Sequence, residues 1–152
     1  MTKKILLSLL AASFLPLYVF AQGLDIDADT AVFYLYAGKD NTALCETVTT
    51  YLRTAVLYMG YKIHPIPYVL KVMEWAEVKK NQDLSYEEVL KMGQKLEAKN
   101  IIYGSVAKSG STYTVSLNWL DGEGNTISSS ESSGKGEYSI STSIDKLLGL
   151  LK

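Results

Sequence analysis

The chain has 152 residues, with 15 basic and 16 acidic side chains and a formal net charge of −1. That balance lacks the basic stripe a nucleic-acid surface needs, so no nucleic-acid partner is expected. One cysteine, Cys45, excludes an internal disulfide, and the length suits one domain whose core needs no staples.

Residues 1–21 read as a secretory signal peptide. Lys3 and Lys4 give a basic start, an apolar run follows over 5–19, and Val19 and Ala21 suit cleavage after Ala21. The run is short for a span and Pro16 interrupts it, so no stable membrane span is expected after cleavage. Residues 22–30 form a polar lead-in. Its series Asp25, Asp27, Asp29 resembles the start of a calcium loop, but the sixth and twelfth positions hold Thr30 and Tyr36 instead of Gly and Glu. No metal is expected there.

Residues 31–37, AVFYLYA, are continuously apolar and aromatic and predict a strand buried on both faces. Asp40 or Asn41 can cap the helix that follows, which carries Leu44, Val48, Tyr51, Leu52, Ala55 and Met59 at helical spacing and ends at Gly60. YKIHPIP predicts a short second strand that runs out at Pro65 and Pro67. Pro67 suits a first helical turn, and an apolar stripe from Val69 continues to about Lys80. Ser85 and Glu88 spell a capping box before a third helix with Val89, Met92, Gly93 and Leu96 inward.

Three strands follow. NIIYGSVA is nearly all apolar. TYTVSLNWL alternates, with Tyr113, Val115, Leu117 and Trp119 on one face and Thr114, Ser116 and Asn118 on the other. TISSSESSGK has almost nothing to bury. The polarity therefore rises strand by strand, as hairpins would if they stepped from a sheet centre to an open edge. Ile140, Ile144, Leu147, Leu148 and Leu151 close the chain as one amphipathic helix, with Ser139 its expected cap.

The expected order is β-α-β-α-α-β-β-β-α. It is an α/β (α+β) fold with a mixed five-stranded sheet, order 2-1-3-4-5, and helices on both faces, the whole a single domain over 31–152. Tyr103-Gly104-Ser105-Val106 after a helix, the hairpin ending in Asp121-Gly122-Glu123-Gly124, the serine-rich strand and the closing helix resemble the TolB N-terminal-like periplasmic domains. Related domains occur in the curli-secretion lipoprotein and in the lipoprotein activators of penicillin-binding proteins. The resemblance covers about residues 30–151. It implies a non-enzymatic, periplasmic or secreted envelope domain that works through contacts with other proteins.

No catalytic set emerges. Ser105–Lys108 spells S-x-x-K in a strand, where Ser and Lys do not meet as they would on a helix. Ser143–Lys146 repeats it on a helix without the partner motifs of that chemistry. His64 is the only histidine and reads as structural; with Cys45 distant it makes no zinc site, and no cofactor is expected. Cys45 reads as a buried small hydrophobe. Two candidate sites stand out. One is a partner-binding edge on the last strand, Thr126, Ser128, Ser130 and Ser132, open to main-chain pairing. The other, the alternative reading, is a small-ligand crevice at the carboxyl ends of the first and third strands, with Gly38, Lys39, Asp40, Ser109 and Gly110.

Overall fold

The computed structural model describes residues 28–149. The residues read as a signal peptide, most of the lead-in and Leu151 lie outside them. The elements are β1 (Thr30–Val32), α1 (Thr42–Tyr58), α2 (Ile66–Trp75), α3 (Tyr86–Lys95), β2 (Asn100–Ser109), β3 (Thr112–Asp121), β4 (Thr126–Lys135) and α4 (Ser139–Leu147). One sheet runs in the order β1-β2-β3-β4, with β1 parallel to β2 and the rest antiparallel.

Each face of that sheet carries its own core. Ala31, Phe33 and Ile101 pack with Val69 and Met73 of α2 and Val89 and Met92 of α3. Val32, Leu35, Ile102 and Val115 pack with Val48, Leu52 and Val56 of α1 and Ile140 and Ile144 of α4. Helices on both faces explain why β1 and the start of β2 are unbroken apolar runs. An exposed face would need polar residues at alternate positions.

The sheet has four strands and not five, because the expected second strand, YKIHPIP, does not form. Residues 61–64 do lie beside β1, on the expected side, but they touch it as a single parallel bridge, Thr30 with Ile63. Lys62 O accepts from the amides of Asp29 and Thr30 at 3.0 and 3.1 Å, and His64 N donates to Thr30 O at 2.9 Å. The pairing then stops because Pro65 has no donor and α2 begins at Ile66. Arg53 of α1 fills the gap: Nη2 donates to His64 O at 2.7 Å and Nη1 to Val32 O at 3.4 Å. A side chain thus replaces ladder bonds that the prolines cut short.

The first strand is also shorter than 31–37. Val32 pairs with Ile102, but Tyr36 pairs with Ser105, so four residues on one side match three on the other. The extra residue is a bulge. It puts both Phe33 and Tyr34 in the α2–α3 core and Leu35 in the α1–α4 core. The Leu35 amide, turned out of the ladder, donates to Thr49 Oγ1 at 2.9 Å.

Local signals set most element ends. The capping box forms as spelled: Glu88 N donates to Ser85 Oγ at 3.2 Å and Ser85 N to Glu88 Oε2 at 2.8 Å. The apolar stripe of α2 ends at Trp75 and not near Lys80, because Glu77 turns left-handed at φ +59°. Ser139 is no cap. It is the first residue of α4, after Tyr138, and its hydroxyl donates to Gly136 O at 2.7 Å. Gly104 sits at mid-β2 because a Cβ there would stand 2.0 Å from Ser116 O on β3. The glycine of the Tyr103–Val106 motif is therefore a contact point between two backbones.

Cys45 is fully buried in the α2–α3 core, and burial pushes its thiol up. Among the described residues no helix is long and apolar enough to cross a membrane, and no group of three or more His, Cys, Asp or Glu could hold a metal ion.

Candidate functional site

β4 is the outer strand of the sheet, and six of its first six residues are exposed. An edge strand directs half of its peptide groups away from its neighbour, where they remain available for pairing. Nothing among the described residues lies beyond β4 in the sheet.

Its register assigns each side chain to a face. Ser128, Ser130 and Ser132 pair with Trp119, Leu117 and Val115, all in or against the α1–α4 core. Thr126 pairs with Leu120, which belongs to the other core. The register shift between Trp119 and Leu120 leaves Ile127 as an extra residue and breaks the even-numbered row. The four expected edge residues therefore share one strand but not one face. Ile127 emerges 57% exposed, and Tyr138, just past the other end of β4, is 79% exposed.

On the opposite face the strand is fastened to β3 by side chains. Ser129 Oγ donates to Asn118 Oδ1 at 2.7 Å, and the Thr114 and Ser133 hydroxyls lie 2.7 Å apart. Such polar rungs hold the edge flat against β3 without making it apolar. Near its far end β4 passes under α4. Gly134 permits this, since a Cβ there would stand 2.4 Å from the Ser139 Cβ.

The turn before β4 is built around one carboxylate. Asp121 Oδ1 accepts from the amides of Glu123 and Asn125 at 2.9 Å each, and Oδ2 from Asn125 Nδ2 at 2.8 Å. The Asn125 side chain and these amides hold the Asp121 carboxyl below the usual carboxylate range. Tyr86 of α3 donates to Gly124 O at 2.8 Å, which ties the turn to the helix layer. This accounts for the Asp-Gly-Glu-Gly spelling.

The expected crevice is occupied from its β1 side. Asn81, in the link between α2 and α3, accepts from Ala37 N at 2.8 Å and donates to Gly38 O at 2.6 Å. Lys39 and Asp40 are exposed in the turn before α1. Ser109 and Gly110 are exposed at the tip of the β2–β3 hairpin, with Gly110 at φ +60°. Two clefts open elsewhere. One, of about 500 Å³, lies between α1 and residues 61–66; the other, of about 150 Å³, lies between α1 and α4. Neither is lined by Gly38, Lys39, Asp40, Ser109 or Gly110.

The S-x-x-K residues and His64 are not brought together. Ser105 pairs with Ser116 in the ladder, while Lys108 lies over the Tyr113 ring at 5.5 Å. Ser143 is buried on the inner side of α4 and Lys146 is exposed. His64 is 9% exposed, and among the described residues its Nε2 has no hydrogen-bond partner. Burial pushes its pKa down; Arg53 acts in the same direction and Asp29 against it.

The fold, one mixed sheet between two helix layers, is similar to that of solved structures. The C-terminal domain of LpoB from Salmonella enterica has a TM-score of 0.57 at 14% identity, over 79% of this chain and 93% of that chain. The fold is that of the LpoB C-terminal domain. Lipoprotein GNA1162 from Neisseria meningitidis follows at a TM-score of 0.52 and 16% identity, over 73% of this chain and 83% of that one. PelC from Paraburkholderia phytofirmans, a dodecamer, has a TM-score of 0.52 and 16% identity, over 80% and 85%. No protein-family model and no curated protein matches the sequence. The resemblance read from the Tyr103–Val106 and Asp121–Gly124 motifs thus holds at the level of the fold.

Proposed function

We propose that this chain is a non-enzymatic interaction module of the bacterial cell envelope, exported to the periplasm or beyond, that takes a partner protein along β4. The single observation that carries the reading is the position of β4: outermost in the sheet, exposed along most of its ten residues, with an exposed apolar side chain near each end. Main-chain pairing would supply affinity, and Ile127 and Tyr138 would supply anchors that fix the register. Kinship of fold with LpoB, GNA1162 and PelC supports an envelope role. The signal-peptide pattern of residues 1–21, with Lys3 and Lys4 before an apolar run, supports export. The small-ligand alternative has less behind it, because Asn81 already satisfies the Ala37 and Gly38 backbone at the proposed crevice.

A photoreactive residue placed at Ser130 tests the reading, with Lys71 on the exposed side of α2 as control. In intact envelopes Ser130 is expected to give one discrete protein adduct that Lys71 does not give, and that Ile127→Asp with Tyr138→Asp abolishes. Equal labelling from both positions, or an adduct indifferent to the two aspartates, overturns it.

A further inference from the structure

The 500 Å³ cleft lies on the flank of the sheet opposite β4, against residues 61–66 and the outer side of α1. Its volume falls within the roughly 300–1,000 Å³ of ligand sites. Two of its lining residues, Arg53 and Lys62, are basic and none is acidic. Leu57, Tyr61, Pro65 and Ile66 give it apolar walls.

Arg53 is only 9% exposed, yet among the described residues no carboxylate pairs with it. Its two recorded hydrogen bonds go to main-chain carbonyls. A guanidinium carries five N–H donors, so donors remain beyond those two bonds. Burial pushes the Arg53 pKa down, as expected of a cation held without a counter-charge. A planar fork recognises a carboxylate by two parallel bonds, and the apolar walls would be wasted on a bare, strongly hydrated anion.

We propose that this cleft binds a peptide carboxylate with apolar side chains beside it, Arg53 taking the carboxylate and Leu57, Tyr61, Pro65 and Ile66 the side chains. The site lies across the molecule from β4 and does not depend on that edge having a partner. It gives the chain a second contact of a different kind, with charge recognition on one flank and main-chain pairing on the other.

The test is a ¹H–¹⁵N NMR titration of the exported chain with N-acetyl-leucyl-leucine, with its C-terminal amide, and with inorganic phosphate. Because Arg53 also joins β1 to residues 61–64, its replacement could unfold the flank. Thr54→Glu is the better variant, since Thr54 is exposed on α1, lines the cleft and would bring a repelling charge to it. The free acid is expected to shift the Arg53 side-chain and Tyr61 signals. Binding should weaken by about tenfold or more for the amide, and likewise for the free acid against a folded Thr54→Glu chain, the worth of one charge-assisted hydrogen bond. The proposal is overturned if the amide binds as well as the acid, if phosphate matches the acid, or if Thr54→Glu binds undiminished. Absence of any shift up to about 10 mM acid, about tenfold above a millimolar Kd, also overturns it.

Discussion

The Arg53 Nη2 lies 2.7 Å from the carbonyl oxygen of His64 and joins α1 to a segment that fails to become a strand. Removing the guanidinium leaves His64 O and Val32 O facing a buried gap. Arg53→Met should therefore cost about 3 kcal/mol, the range for losing charge-assisted bonds to buried acceptors. Urea denaturation of the variant against the parent measures it. A loss below about 1 kcal/mol would show that the bonds are replaced by water.

Gly104 faces Ser116 O, with no room for a methyl group. Gly104→Ala should force β2 and β3 apart and cost about 3 kcal/mol or more, as overpacking against backbone does. Thermal melting followed by far-ultraviolet circular dichroism checks this. The expected result is a large fall in Tm or no folded protein.

Ser85 and Glu88 close the start of α3 reciprocally. Ser85→Ala removes one acceptor from an exposed helix end and should cost about 1 kcal/mol. The double variant with Glu88→Ala should cost less than the two single losses added, because the two bonds belong to one motif. A double-mutant cycle in urea reads the difference.

His64 is buried and its pKa lies below the ordinary 6.5. The unfolded chain binds the proton more readily, so stability is fully present above about pH 6.5 and falls as the pH drops through the depressed native value. Asp121, also depressed, adds a second loss below its ordinary 3.8. Melting temperatures from pH 8 to pH 3 should decline in two stages. His64→Gln should flatten the upper stage only, and Asp121→Asn the lower one only.

The face of β4 bearing Ser128 and Ser130 is kept polar beside Trp119 and Leu117. Ser128→Val with Ser130→Val should leave stability within about 0.5 kcal/mol, as exposed substitutions usually do. It should nevertheless raise self-association, since an apolar open edge invites pairing between copies. Sedimentation velocity over a concentration series checks it, and a chain that stays monomeric counts against an available edge.

Much of this architecture is legible in one dimension. The apolar run over 31–37, the alternation from Tyr113 to Trp119 and the serines after Thr126 each state how many sides of a strand are covered. A centre, a half-covered strand and an edge follow from those patterns alone, and so does the capping box at Ser85. These are local consequences of burial and of unpaired amides, so the residues that cause them sit next to one another in the chain.

Only the tertiary structure decided where pairing fails. YKIHPIP has strand composition, but the two prolines leave a single bridge, and the buried Arg53 that secures it comes from α1. The bulges after Val32 and at Ile127 reassign Tyr34 and Thr126 to other faces, and Asn81 fills the crevice from a loop more than forty residues away. The physical reason is common to all of them. A main-chain group can be satisfied by any donor or acceptor that packing brings near, and which one arrives depends on the folded chain as a whole.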